Sequence, residues 1–430
     1  MRPQHRSSAT PLLVALAFTL AAPAAFGQPA TTLRDAVEPY GFVLLNGAYN
    51  SHAVNNIDVP YIVTTTAKQG SLTATARQTR LGLNLRYPSE GIRLLGGAKL
   101  SGKVEADFFG GMPNAGYGDA FGLARLRLAY MTLDWGPVQL VAGQDWIILA
   151  PLNPITIAHV SVVGFAGAGN LWFRLPQLRL QGQVGKRFGF EWAAGVLAPY
   201  DQEPTDPASK QFQTANTPGP GERSKTPMVQ GRVAGYATFL KKRATLGVSA
   251  HYSRERYDLS AAGSSDVIER RDITCWAVAA DLMLPIGQWA ALSGELFTGS
   301  DIDIFWGGAL QGVRKQVDPA DPDKKRLTDV TRVRSTGGWG QLSLYPVAPL
   351  GVHLGLGLDQ PKAADVQPLS GSTPAIAANS AFYAAAIYSP LPRLRFALEV
   401  DRMWTRYIGT DAAEFTVPAT HVNLAAFYEF

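Results

Sequence analysis

Apolar residues recur at every second position over stretches of about ten residues, the period of a strand with one oily and one polar face. The clearest stretch is 78–87. Leu81, Leu83, Leu85 and Tyr87 share one face there, and Arg80, Asn84 and Arg86 the other. The rhythm returns in Leu126, Leu128 and Tyr130 against Arg125 and Arg127, and in Val352, Leu354, Leu356 and Leu358. It returns again in Leu394, Phe396, Leu398 and Val400 against Arg395, Glu399 and Asp401. Applied along the chain, it predicts strands at 41–50, 75–87, 98–110, 122–134, 137–147, 171–184, 188–198 and 226–240. A second set follows at 243–256, 270–285, 288–298, 332–346, 349–359, 378–389, 392–405 and 418–430. Sixteen is an even number, as a closed single-chain bacterial barrel requires. Pro176 interrupts the sixth strand, where the apolar parity shifts and a bulge is expected.

The connections sort into two kinds. Asp134-Trp135-Gly136-Pro137, Gly185-Lys186-Arg187, Lys241-Lys242, Pro285-Ile286-Gly287, Pro346-Val347 and Pro390-Leu391-Pro392 read as tight turns. Between them fall long polar loops such as 199–225, 299–331 and 360–377. This alternation puts all tight turns at one end, and only 88–97 is longer than expected there. Aromatics gather at that end: Tyr87, Trp135, Phe188, Trp289, Tyr345, Tyr388, Tyr428 and Phe430. Amphipathic rings favour a membrane–water boundary, so the fold class expected is all-β: a transmembrane antiparallel β-barrel of about sixteen strands. Its short turns would be periplasmic and its long loops extracellular.

Composition agrees. Charged residues are 17% of the chain, against about 25% in soluble proteins. Arg2, His5 and Arg6, an apolar run from Pro11 to Leu20 and Ala25-Phe26-Gly27 have the order of a cleaved secretory signal, 1–27. A short periplasmic segment, 28–40, and the barrel, 41–430, would follow. Without Arg2 and Arg6 the formal charge falls from +5 to about +3, too mild to suggest nucleic acid. The lone Cys275 excludes an intramolecular disulfide and is read as a passive, lumen-facing thiol. The last strand ends with Val422, Leu424, Tyr428 and Phe430 on one face, which resembles the C-terminal signature read by the barrel-assembly machinery. Tyr428 and Phe430 are therefore expected to be assembly signals.

Four segments resemble the DcaP-like trimeric porins, in the same order as in that family. They are Ala76-Arg77-Gln78-Thr79-Arg80-Leu81-Gly82, then Gly102-Lys103-Val104-Glu105-Ala106-Asp107-Phe108-Phe109-Gly110, then Arg125-Leu126-Arg127-Leu128-Ala129-Tyr130, then Ala142-Gly143-Gln144-Asp145-Trp146. The resemblance covers roughly the first third of the exported chain. It implies a sixteen-stranded homotrimer in the outer membrane, bounded by lipid, that passes small anionic solutes such as dicarboxylates. Those relatives often carry a helical coiled-coil segment before the barrel, whereas here only Gln28 to Pro39 precedes it.

Residues 148–170 are too apolar to stand in water and contain no acid from Trp146 through Asn170. In porins the third loop folds back into the barrel, so this one is expected to form the constriction; packing at a subunit contact or under other loops is the alternative. The inward faces of strands two to six supply Arg80, Arg86, Lys103, Arg125, Arg127, Arg174 and Arg179, against Glu105, Asp107 and Asp145. A positive wall of this kind would select anions. The rest of the lumen is more balanced: Arg232, His251 and Arg395 face Glu191, Asp281, Glu295, Asp359, Glu399 and Asp401. No nucleophile motif accompanies the inward His251 or His353, so no enzyme, cofactor or metal is expected. The function expected is a porin for passive diffusion of small hydrophilic solutes. The rivals are an uptake channel for hydrophobic or aromatic compounds and a surface adhesin barrel.

Overall fold

The computed structural model describes residues 36–66, 69–87, 91–111, 122–201, 218–239, 241–321, 326–367 and 374–430. The expected signal peptide, 1–27, and residues 28–35 lie outside the described residues. The strands are β1 (Val37–Asn50), β2 (Ser71–Thr75), β3 (Arg80–Arg86), β4 (Lys99–Asp107), β5 (Arg125–Asp134), β6 (Val138–Trp146) and β7 (Arg174–Gly185). They continue as β8 (Phe188–Leu197), β9 (Met228–Phe239), β10 (Lys242–Ser260), β11 (Val267–Ile286), β12 (Ala290–Ser300) and β13 (Val313–Val317). The last are β14 (Leu327–Arg332), β15 (Arg334–Val347), β16 (Leu350–Pro361), β17 (Ala375–Leu391), β18 (Leu394–Ile408) and β19 (Glu414–Glu429).

Two of these details reduce the wall to the expected count. β2 and β3 are halves of one wall strand, both paired to β1, through Asn46↔Thr75 and Phe42↔Arg80. β13 and β14 form a hairpin whose single ladder pair with β10, among the described residues, is Leu259↔Leu327. The wall therefore has sixteen antiparallel strands, and β1 pairs with β19 from Phe42↔Glu429 to Asn50↔His421 to close it. Closure leaves no free edge. Each predicted segment overlaps a wall strand, and residues 37–40, expected before the barrel, already belong to β1.

The outer face is apolar as the alternation requires: Leu81, Leu126, Leu180, Leu246, Leu296, Leu356 and Leu424 are all exposed. At the end with the tight turns, Tyr87, Trp135, Phe188, Trp289, Tyr388, Tyr428 and Phe430 are exposed as well. Tyr345 departs from the expected girdle. Its parity matches the buried Trp339, Gln341 and Ser343, and its ring lies edge-on to inward His353.

The bulge lies elsewhere than expected. Register is continuous past Gln144↔Pro176. Pro176 turns its backbone toward β8 just where that ladder ends; its carbonyl accepts from Ala198 N, and no ladder N–H is demanded of it. Arg174 and Arg179 differ in parity along β7, but Arg174 is in the last pair of the ladder, where its side chain lies inside over Trp146 and Trp172. The actual bulge is at Arg127, left over between Glu105↔Leu128 and Ala106↔Leu126. Beyond it the parity of β5 inverts. Leu126 faces outward at 51% exposure, whereas Leu128, expected beside it, is buried at 6%. Tyr130 also turns inward, paired with Lys103.

Candidate functional site: the loop inside the barrel

The connection from Ile147 to Phe173 leaves β6, runs around the inner wall and returns at β7. It is apolar in sequence because its side chains pack inside the barrel. Its backbone polar groups still need partners, and the wall supplies them strand by strand. Ile148 N and Leu149 N donate to Gln230 Oε1 on β9, at 2.8 and 3.1 Å, and Ala150 N donates to Ser249 Oγ on β10 at 3.1 Å. Leu152 N donates to Glu295 on β12 at 2.7 Å, and Ile155 N to Gln341 on β15 at 2.8 Å. Tyr383 OH on β17 donates to Ile155 O at 2.9 Å. Thr156 Oγ1 and Ile157 N donate to Glu399 on β18, at 2.5 and 3.1 Å.

The circuit then crosses the seam. Asn46 Nδ2 on β1 donates to Ile157 O. Gln78, in the break between β2 and β3, accepts from Val160 N and Ser161 N at 2.9 Å each and donates to Ala158 O at 2.9 Å. Arg80 donates to Val160 O and Arg125 to Ser161 O. The second half of the loop crosses the interior. Phe165 packs against Trp339 and Tyr383, while Val162, Val163 and Ala166 join Val59, Trp146 and Trp172. Glycines admit it: a Cβ on Gly357 would lie 2.3 Å from Ala168 O, and one on Gly169, at φ +114°, would lie 2.1 Å from Gly338 O. His159 is half-buried here, and desolvation of its ring lowers the imidazole to about 4, so the ring is neutral.

The loop covers part of the basic wall. Arg127 is 1% exposed and holds both acids: Nε to Glu105 at 2.7 Å and Nη1 to Asp107 at 2.8 Å. The bulge is what lets one guanidinium span two carboxylates on β4. Arg125 makes a two-pronged pair with Asp107, at 3.0 and 2.7 Å, and Arg80 approaches Glu105 at 3.6 Å. Arg179 pairs with Asp145 at 2.6 Å. Arg174 is covered by Trp146 and Trp172, with its guanidinium carbon 4.2 and 5.2 Å from the two ring centres, and its Nε and Nη2 meet no acceptor. Lys103 lies 4.8 Å over the ring of Tyr40, whose hydroxyl donates to Glu105 at 2.9 Å. Arg86 stands at the tight-turn end in an exposed pair with Glu38.

The remaining wall acids divide differently from the simple picture of lumen charges. Glu295 and Glu399 accept loop N–H groups, and Asp281 and Glu191 share Arg232. Asp401 is 4% exposed, and one of its oxygens has no donor. Cys275 is buried and donates to Asp301 at 3.0 Å. Sequence reasoning passed over the neutral anchors Asn46, Gln78, Gln230 and Gln341. Their signal was an amide at inward parity, where water alone would not need one. It also passed over the first long connection, which tucks inward through Val63 N to Thr405 and Arg77 to Asp58. Beneath the loop, toward the tight turns, an open cavity of about 380 Å³ is lined by Gln139, Gln181, Gln183, Glu191 and Arg232.

No family model matches the chain, and no curated protein matches it. Solved structures do. The outer membrane channel DcaP of Acinetobacter baumannii superposes with a TM-score of 0.65 at 16% identity, over 92% of this chain and 97% of that one. OprB of Pseudomonas putida gives 0.53 at 10% identity, over 93% and 95%. An anion-selective porin from Comamonas acidovorans gives 0.51 at 15% identity, over 92% and 99%. At these identities the likeness is one of architecture, and the architecture is that of the outer-membrane porins.

Proposed function

We propose that this protein is an outer-membrane porin through which small hydrophilic solutes diffuse, with a preference for anions. The observation that carries the reading is the polar-anchored loop seated inside a closed barrel beside a basic excess. Arg80, Lys103, Arg125, Arg127, Arg174 and Arg179 outnumber Glu105, Asp107 and Asp145 by six to three. Ion pairing cancels half of that charge and leaves the rest. Unit charges 4–6 Å from a passing ion interact by about 3–4 kcal/mol at intermediate dielectric, enough to sort ions by sign. One structure of similar fold is named an anion-selective porin, which agrees with this reading. Dicarboxylate-like solutes, a homotrimer, export by a cleaved signal and insertion by the barrel-assembly machinery belong to the same proposal.

The test uses the least encumbered positive groups. Lys103 has no ion pair among the described residues, and Arg86 has only an exposed one. Lys103→Glu with Arg86→Glu changes the local charge by about four units without disturbing the buried pairs. Under a salt gradient across a planar bilayer, the wild type shows an anion-selective reversal potential that weakens as salt screens it. The double variant moves toward cations. A cation-selective wild type, or a variant with unchanged reversal potential, refutes the proposal.

A further inference from the structure

The interior holds a second polar cluster that permeation does not use. His159 on the loop and Glu399 and Asp401 on β18 bring ligand atoms within 4.8 Å of one another. His421 on β19 is the cross-strand partner of Asp401, and its ring centre is 6.4 Å from that of His159. Donors here are short. Asn50 Nδ2 donates to Ile57 O and Ser71 Oγ, at 2.7 and 3.0 Å, so its Oδ1 faces His421 Nδ1 at 2.9 Å and accepts from it. That hydrogen-bond network assigns the imidazole proton to Nδ1 and leaves Nε2 a bare lone pair. His421 Nε2, one oxygen of Asp401 and His159 Nδ1 are all buried without a partner. No lysine or arginine acts on Glu399 or Asp401 among the described residues.

One Asp401 oxygen and His421 Nε2 are buried acceptors with no donor, and such atoms are costly unless something positive joins them. A cavity of about 20 Å³, lined in part by His159, Asp401, Phe165 and Tyr383, is the size for one small occupant. We propose that His159, Glu399 and Asp401 bind a single divalent transition-metal ion, with His421 Nε2 the neighbouring nitrogen for a fourth position. Mixed imidazole and carboxylate ligands suit zinc, whereas calcium and magnesium prefer oxygen alone. The supporting shell is present: Asn50 orients His421, and Thr156 and Ile157 orient Glu399, which keeps lone pairs to spare. Such an ion would join the loop to β18.

The experiment uses full-length protein folded in detergent, stripped with a chelator and dialysed against zinc. Elemental analysis should find about one zinc per chain, and cobalt in its place should give the visible absorption of a low-coordinate site. His159→Ala, on a loop, should weaken binding at least about tenfold, the scale for disturbing a metal shell. Asp401→Asn should do the same wherever it still shifts on heating in a denaturing gel; if it does not assemble, His159→Ala decides. Cys275→Ser, which alters the separate Glu255–Cys275–Asp301 cluster, should leave binding unchanged. Wild type without bound metal, or His159→Ala with wild-type affinity, overturns the proposal. So does loss of the ion in Cys275→Ser alone, since it would then sit in the other cluster.

Discussion

Gln78 shows how much one neutral side chain can organise. It is fully buried and makes four hydrogen bonds, three to the loop backbone and one to Asn46. Gln78→Leu would leave two N–H groups and one carbonyl of the loop without partners, and each buried orphan costs about 1–3 kcal/mol. The wall itself should survive, because Gln78 lies in the break between β2 and β3. The expected outcome is faster amide exchange at Ala158–Ser161 and a larger, noisier single-channel conductance. Wild-type exchange and conductance in the variant would show that the loop is held by its apolar packing alone. Such anchors were hard to read from sequence, because an inward glutamine looks like any lumen residue until its partner is known.

Strands were the legible part of the chain, because an apolar outer face and a polar inner one impose a two-residue period that loops cannot mimic. Where the period failed, a specific partner decided. Arg125-Leu126-Arg127-Leu128 alternates cleanly, yet the chain bulges at Arg127 so that its guanidinium meets Glu105 and Asp107 together. The basic residues were also legible, but their pairing was not, since register across β4 and β5 depends on that bulge. Arg127→Met leaves two buried carboxylates short of their counter-charge and should destabilise the barrel by about 3–5 kcal/mol. Arg125→Met, at a side chain 26% exposed, should cost clearly less. Urea unfolding in detergent compares the two, and equal losses would show that the bulge has no special energetic role. Pro176 teaches the converse: a proline tolerated at a ladder's end needs no bulge.

At the scale of the whole molecule, the C-terminal residue closes the ring. Gly41 N and Phe430 O lie at 3.3 Å, and Phe430 N donates to Gly41 O at 3.0 Å, while the Phe430 ring stays exposed at the boundary. A ring so placed contributes modest burial, and Tyr428 beside it does the same. Deleting Phe430 should therefore lower the yield of heat-modifiable barrel in cells far more than it lowers the stability of protein refolded in detergent. Equal effects on both would make the residue purely structural. The loop's circuit also has a consequence in time. Thr156 waits for Glu399, 243 positions later, and Ile155 waits for Gln341, 186 positions later. Contacts so distant along the chain form late, because long segments must be ordered first. The loop can complete its seat only once β18 is in place, so narrowing of the passage is expected to follow the building of the wall rather than accompany it.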